Sequence, residues 1–296
     1  MDGLIWALGG ALGAMGWAGV VVRRRRRADA ERTAARSLAA CRELLVLIAR
    51  LQQHRGMSSA LLAGDRSFTA ARMGKARDID AVLPALRAAA QAESGMAHPC
   101  LTVNEFAVFE HRWGVLRDAL ASLSVEQSIA QHSALIAQLL QWLAALGEAR
   151  VEPLFGEHGA RDAARNYASR LPALTECLGQ ARALGLSVAA RGGCSAVARV
   201  RLMFLIARAE HLLAQAAKGA VRGRCADEAA AAVQAMAQMV NTRLLLRTGV
   251  DVPAQVVFEV ASGAVDSVFA WASDTGAQLN RARQSPSAAG ATVWAA

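Results

Sequence analysis

Apolar residues recur at spacings of three and four along most of this chain, which is the pattern of one face of an α-helix. Between residues 44 and 62 that face consists of Leu44, Ile48, Leu51, Arg55, Ser58 and Leu62. An arginine in the middle of a core-facing stripe costs free energy unless something pairs with it. Arg55 is therefore the first candidate functional residue.

Two later stripes carry arginines in the same way: Leu171, Thr175, Leu178, Arg182, Gly185, Ala189, and then Ala229, Val233, Met236, Val240, Arg243, Arg247. Small residues lie within one turn of each arginine and leave room for a ligand. A guanidinium fork suits a small planar oxyanion. Two facing arginines would repel until an anion lies between them, so binding would draw helices together. The alternative is that these arginines are solvated or extend past apolar neighbours.

Capping boxes at 102–105 and 124–127 and breaks near Gly64, Gly95, 156–159 and 191–193 divide the body into about eight helices. Hydrophobic residues make up 54% of the chain, mostly Ala and Leu, and aromatics only 5%, which favours helices. We predict an all-α fold of two antiparallel four-helix-bundle-like halves on either side of 156–159. The helical domain is expected at 38–283, with a disordered tail at 284–296.

The stretch Gly3–Val22 has no charge and is long enough to cross a bilayer as a helix. Five arginines at 23–27 follow it and should remain in the cytoplasm. We therefore predict a transmembrane anchor at 1–22, a basic juxtamembrane segment at 23–37 and a cytoplasmic body. Gly9 and Gly13 form a GxxxG that would suit a homodimer contact. The alternative is an Ala/Gly-rich anchor without a partner.

Charge and motifs exclude several function classes. The net charge is +9, but the 23–27 run supplies five of these charges, so a nucleic-acid groove is not indicated. No nucleotide-binding, hydrolase or metalloprotease motif occurs, and we predict no enzyme activity, no catalytic residue, no metal and no cofactor. The six histidines lack ligand spacing and are expected at the surface or at helix ends. The five cysteines are expected to be buried thiols in a reducing compartment.

The stretch Leu-Gln-Gln-His-Arg-Gly-Met-Ser at 51–58 resembles the opening motif of bacterial nitrate- and nitrite-sensing (NIT) domains, roughly Leu-Gln-x-Glu-Arg-Gly-x-Ser. The stretch at 171–185 is similar to a segment in the second half of such domains, and the resemblance extends over 38–283. It departs from the motif at His54, which stands where the motif has Glu. The resemblance implies two four-helix bundles that bind nitrate or nitrite through arginines between helices and drive a signalling output.

By this resemblance Arg55 and Arg182 are the leading ligand-binding candidates, with Arg191 and Arg243 as weaker ones. The sequence then predicts a single-pass sensor in a bacterial inner membrane that binds nitrate or nitrite and signals to a separate, unknown protein. One alternative is a membrane-anchored helical interaction protein without a small ligand. A histidine phosphotransfer bundle is a further alternative, but the lysine expected before Gly56 is missing.

Overall fold

The computed structural model describes residues 2–156, 158–218, 223–246, 249–250 and 252–284, and only the backbone at 2–23, 26, 27, 30 and 158. Within these ranges the chain is helical and contains no strand, which confirms the predicted all-α fold. The helices are α1 (Asp2–Leu62), α2 (Thr69–Ser94), α3 (Val103–Ala119), α4 (Val125–Leu146), α5 (His158–Arg165), α6 (Leu171–Ala190), α7 (Ala196–Lys218), α8 (Arg224–Met239) and α9 (Ala254–Gln284).

The buried apolar side chains form two cores, one in each half of the chain. Helices α1 to α4 supply most of the first core, with Leu44, Trp113 and Leu139 fully enclosed. Helices α6 to α9 supply the second, which includes Leu178 and Val268. The described residues thus form the two four-helix halves that the breaks in the sequence predict.

Helix α1 is one continuous helix from Asp2 to Leu62. Most of its stripe is buried as predicted: Leu44, Ile48, Leu51 and Ser58 have no exposed surface, and Arg55 is 2% exposed. Leu62, the last residue of the stripe, is partly exposed. The side chains of the predicted span at 1–22 lie outside the described residues, so the anchor stays a prediction, as does the tail beyond Gln284. Two described helices, Val125–Leu154 and Ala254–Gln284, are long and apolar enough to cross a membrane, but both contribute to the cores.

Two π-helical turns contact each other where the first half of the chain continues into the second. Helix α4 continues into Gly147–Val151, and α5 joins α6 through Asn166–Arg170, so residues 158–190 form one helical run. Pro172 follows the second turn; a proline ring clashes with the carbonyl four residues back, and a widened turn relieves the clash. The two turns meet at Gly147, where an added Cβ would lie 2.2 Å from Ala168 Cβ.

Helix α9 runs antiparallel to the 158–190 run. Gly185 lies against Val257 near the start of α9, whereas Tyr167 lies against Gly276 near its end. An added Cβ at Gly276 would lie 2.5 Å from the Tyr167 ring, so glycine is needed for this close approach.

A third π-helical turn, Val240–Leu244, corrects one predicted stripe. The 3,4 spacing places Arg243 on the core face of α8, but its side chain is exposed and Leu244 is fully buried instead. A π turn contains about one more residue than an α turn, so it advances the buried position by one. The stripe prediction is therefore wrong at Arg243, although Ala229, Val233, Met236 and Val240 are buried as expected.

Two histidines were expected at the surface or at helix ends, and for them the expectation is wrong. His54 on α1 and His132 on α4 are both fully buried, with His54 Nδ1 and His132 Nε2 2.8 Å apart. His132 Nδ1 lies 2.7 Å from the Ser128 carbonyl, which can only accept, so Nδ1 carries the proton. His132 Nε2 is then an acceptor, and His54 Nδ1 donates to it.

The cysteines only partly follow expectation. All five are free thiols, but only Cys41 and Cys177 are buried, while Cys100, Cys194 and Cys225 are partly exposed. Burial raises the pKa of the Cys41 thiol to about 12 and that of Cys177 to about 11. These two thiols are therefore protonated at neutral pH and act as small apolar side chains.

The close contact at Gly147 gives a stability prediction. We expect Gly147→Ala to lower the free energy of unfolding by roughly 1–3 kcal/mol, because the new methyl would overlap Ala168. Gly114→Ala in α3 is the matched control, since nothing lies within 4 Å of its added Cβ. The control should be neutral or up to about 1 kcal/mol more stable. Urea unfolding measures both, and equal stabilities would contradict the contact.

The buried histidines give a pH prediction. Burial lowers the pKa of His54 to about 3 and that of His132 to about 4, from an ordinary value near 6.5. The unfolded chain therefore binds more protons below pH 6.5, and the free energy of unfolding falls as the pH drops from 6.5 towards 4. At pH 5 the loss is on the order of 2 kcal/mol per histidine.

Denaturant unfolding at pH 7 and pH 5 measures this loss. The double variant His54→Gln/His132→Gln has no titrating group at these positions and should lose much less stability over the same interval. If the wild type and the double variant lose the same amount, the histidines do not cause the acid sensitivity.

Candidate functional site

The site lies where α1 of the first half meets α6 of the second, and it contains the two leading arginines of the sequence analysis. The Arg55 guanidinium reaches α6 at Gly179, where an added Cβ would lie 2.9 Å from Arg55 Nη2. The Arg182 guanidinium reaches back to α1 at Gly56, where an added Cβ would lie 3.9 Å from Arg182 Nη2. Each arginine thus extends over a glycine of the opposite helix, and α1 and α6 hold the two positive charges close together.

Arg55 has an anionic partner that the sequence analysis missed. Glu176 on α6 accepts from Arg55 Nη1 through Oε1 at 2.7 Å and from Arg55 Nη2 through Oε2 at 3.2 Å. Both side chains are almost completely buried. One feature of the sequence points to Glu176: it is the one acidic residue between Leu171 and Ala190. The sequence pattern does not pair Glu176 with Arg55, because 121 residues separate the two along the chain.

Polar side chains from both halves complete the surroundings of this ion pair. Gln52 Nε2 donates to Glu176 Oε2 at 3.0 Å, and Gln180 Nε2 donates to Glu176 Oε1 at 2.8 Å. Each carboxylate oxygen therefore accepts two hydrogen bonds. Arg55 Nη1 also donates to Ser133 Oγ of α4 at 2.8 Å, so this guanidinium connects α1, α4 and α6.

Arg182 has a different environment. Its Nη1 donates to Ser262 Oγ of α9 at 3.0 Å, and its guanidinium carbon lies 5.8 Å from the centre of the Phe258 ring. Among the described residues no carboxylate lies within 4 Å of it. Burial lowers the pKa of Arg182, and the positive charge of Arg55 lowers it further, while Asp266 and Glu176 partly offset these effects. Arg182 is thus a half-buried cation next to a second cation.

The structure does not bring the two weaker candidates into this group. Arg191 is the exposed residue at the end of α6, nine residues beyond Arg182, which is roughly 13 Å along a helix. Arg243 is exposed on the π turn after α8, although its neighbour Leu244 packs near Gly185 of α6. Both remain predictions as ligand-binding residues.

His54, the departure from the family motif, faces away from Glu176. His54 and Arg55 are adjacent on α1 and contact adjacent residues of α4, His132 and Ser133. The histidine belongs to the polar contact inside the first half, whereas the arginine turns towards the second half. In the part of the chain that the structure describes, no group of three His, Cys, Asp or Glu side chains could hold a metal ion.

Comparison with known proteins gives the family. The family model described as nitrate and nitrite sensing matches residues 46–292, most of the chain. No curated protein sequence matches. Among solved structures, the chain resembles that of the NasR transcription antiterminator in fold, with a TM-score of 0.69 and 20% sequence identity over 88% of this chain and 72% of that one. The chain therefore belongs to the nitrate and nitrite sensing (NIT) family, a family of sensory domains.

Proposed function

We propose that this protein is a sensor that binds nitrate or nitrite between α1 and α6, with Arg182 and Arg55 as the ligand-binding residues. The observation that carries the proposal is the pair of guanidiniums held together at the junction of the halves, of which Arg182 has no carboxylate within 4 Å among the described residues. A small planar anion offers charge and acceptor atoms to both forks. Family membership supports nitrate or nitrite as that anion.

We further propose that α1 relays the binding event. The same continuous helix carries the predicted membrane span and Arg55. About 33 residues separate the end of that span from Arg55, which corresponds to roughly 50 Å of helix. A shift of α1 against α6 on binding would therefore reach the membrane-proximal end without crossing a loop.

A separate protein is proposed to receive the signal. The chain itself is proposed to be a single-pass inner-membrane protein, which could form a homodimer through the predicted Gly9/Gly13 contact. Nucleic acid is not proposed as a partner, since the basic run at 23–27 is next to the predicted span. The antiterminator function named for the structural neighbour is a statement about that protein.

Thermal unfolding tests the ligand. Nitrate or nitrite at millimolar concentration or below should raise the melting temperature of the full chain, because a ligand selective for the folded state stabilises it by about 2.7 kcal/mol at 100 times Kd. This corresponds to several degrees for a chain of this size. Arg182→Gln and Arg55→Lys should remove most of the rise. Lysine keeps the charge opposite Glu176 but loses the fork.

Arg224→Gln is the matched control, because Arg224 is exposed and pairs only with Glu228 in the described part of the chain. It should keep the full rise. Arg191→Gln and Arg243→Gln decide whether the weaker candidates belong to the site. If nitrate and nitrite leave the wild-type melting temperature unchanged, the sensing proposal fails. The alternative, a helical interaction protein whose Arg55 only connects the two halves, would then be favoured.

A further inference from the structure

We propose that Glu176 is an internal competitor for the anion site: its carboxylate occupies the Arg55 fork in the ligand-free protein and limits the affinity for nitrate. This inference rests on the proposed function, since it assigns a residue that regulates the same site. It concerns a residue on α6 that neither the stripe pattern nor the family motif singles out.

The first argument is geometric. The Glu176 carboxylate is a planar anion, and it accepts hydrogen bonds from both terminal nitrogens of Arg55, from Gln52 and from Gln180. Nitrate is trigonal planar and nitrite is bent, but both are small planar anions in which two oxygens have a spacing similar to that in a carboxylate. Donors placed for this carboxylate are therefore also placed for the ligand, and the two anions cannot use the same fork at once.

The second argument comes from the two arginines. Arg182 donates to a neutral hydroxyl, Ser262 Oγ, and faces no carboxylate within 4 Å among the described residues. Arg55 is already neutralised by Glu176. An anion that takes the two-nitrogen fork of Arg55 must therefore replace Glu176 there, whereas contact with Arg182 requires no exchange.

The third argument concerns what the displaced side chain can do. Gln180 lies one turn along the same helix as Glu176 and is partly exposed, so it can keep its hydrogen bond to the carboxylate when the Glu176 side chain leaves the Arg55 fork. Gln52 lies on α1 and stays with Arg55. Three donors thus remain on α1 for the ligand, the two terminal nitrogens of Arg55 and Gln52 Nε2, and one donor remains on α6 for the released carboxylate.

With a competitor of this kind, the observed Kd equals the intrinsic Kd divided by the fraction of molecules in which the Arg55 fork is free. Removal of the carboxylate charge should therefore tighten nitrate binding. We expect Glu176→Gln to lower the nitrate Kd by about tenfold or more relative to the wild type. Isothermal titration of the full chain in detergent, with potassium nitrate at constant ionic strength set by chloride, measures this ratio.

Asp266→Asn is the matched control. It removes one negative charge that acts on Arg182 but does not contact Arg55 in the described structure. Its gain in affinity measures the general effect of a more positive site, and the gain of Glu176→Gln should be clearly larger. Arg55→Lys/Glu176→Gln should not show the gain, because the fork is absent.

Glu176→Asp keeps the charge on a shorter side chain and serves if Glu176→Gln does not fold. Its weaker contact with Arg55 should give a smaller tightening of the nitrate Kd. Suppose that the wild type binds nitrate, and that no folded Glu176 variant binds it more tightly than Asp266→Asn does. The competitor role is then wrong, and the sensor proposal stands. If neither the wild type nor the variants bind nitrate or nitrite, both proposals fail together.

Discussion

The buried ion pair between Arg55 and Glu176 is the charged contact that joins α1 of the first half to α6 of the second. Removal of two charges from water is costly, and their attraction offsets the cost only when the remaining hydrogen-bonding atoms are also satisfied. Gln52 and Gln180 complete the four hydrogen bonds of the carboxylate, and Ser133 accepts one more from Arg55. Gln52 Oε1 is buried without a hydrogen-bond partner among the described residues. Loss of one partner of such a pair typically costs about 3–5 kcal/mol, because the other charge stays buried without compensation. The contact is therefore strong only while an anion occupies the fork.

The backbone around the pair is built for close approach. Gly56 and Gly179 leave room for the opposite guanidiniums, while Gly147 and Gly276 let neighbouring runs touch at Ala168 and Tyr167. The π turns at 147–151 and 166–170 contact each other through Gly147 and Ala168. Packed interfaces in proteins tend to switch between discrete arrangements rather than to deform continuously. A change of anion at Arg55 would then select between arrangements of α1 and α6.

Local pattern was sufficient for the helices, the capping boxes, the two halves and the burial of Arg55, because these follow from spacing within one helix. It was insufficient wherever a contact joins distant segments. Glu176 is an ordinary acidic residue until the fold places it against Arg55. His54 and His132 are polar residues whose burial depends on each other across 78 positions. Arg243 was misplaced for a local reason, since no spacing rule marks the extra residue of a π turn.

The two arginines play unequal parts in the proposed mechanism. Arg55, Arg182 and Glu176 together carry a net charge of +1, which favours a monovalent anion beside them, and Arg182 has no carboxylate within 4 Å among the described residues. Contact with Arg182 alone would leave the Arg55–Glu176 pair intact and could not shift α1 against α6. A ligand changes a conformational equilibrium only by its difference in affinity for the two states. In the proposed mechanism that difference arises at Arg55, where the ligand and Glu176 compete. Arg182 would therefore capture the anion, and Arg55 would convert its binding into a shift of α1.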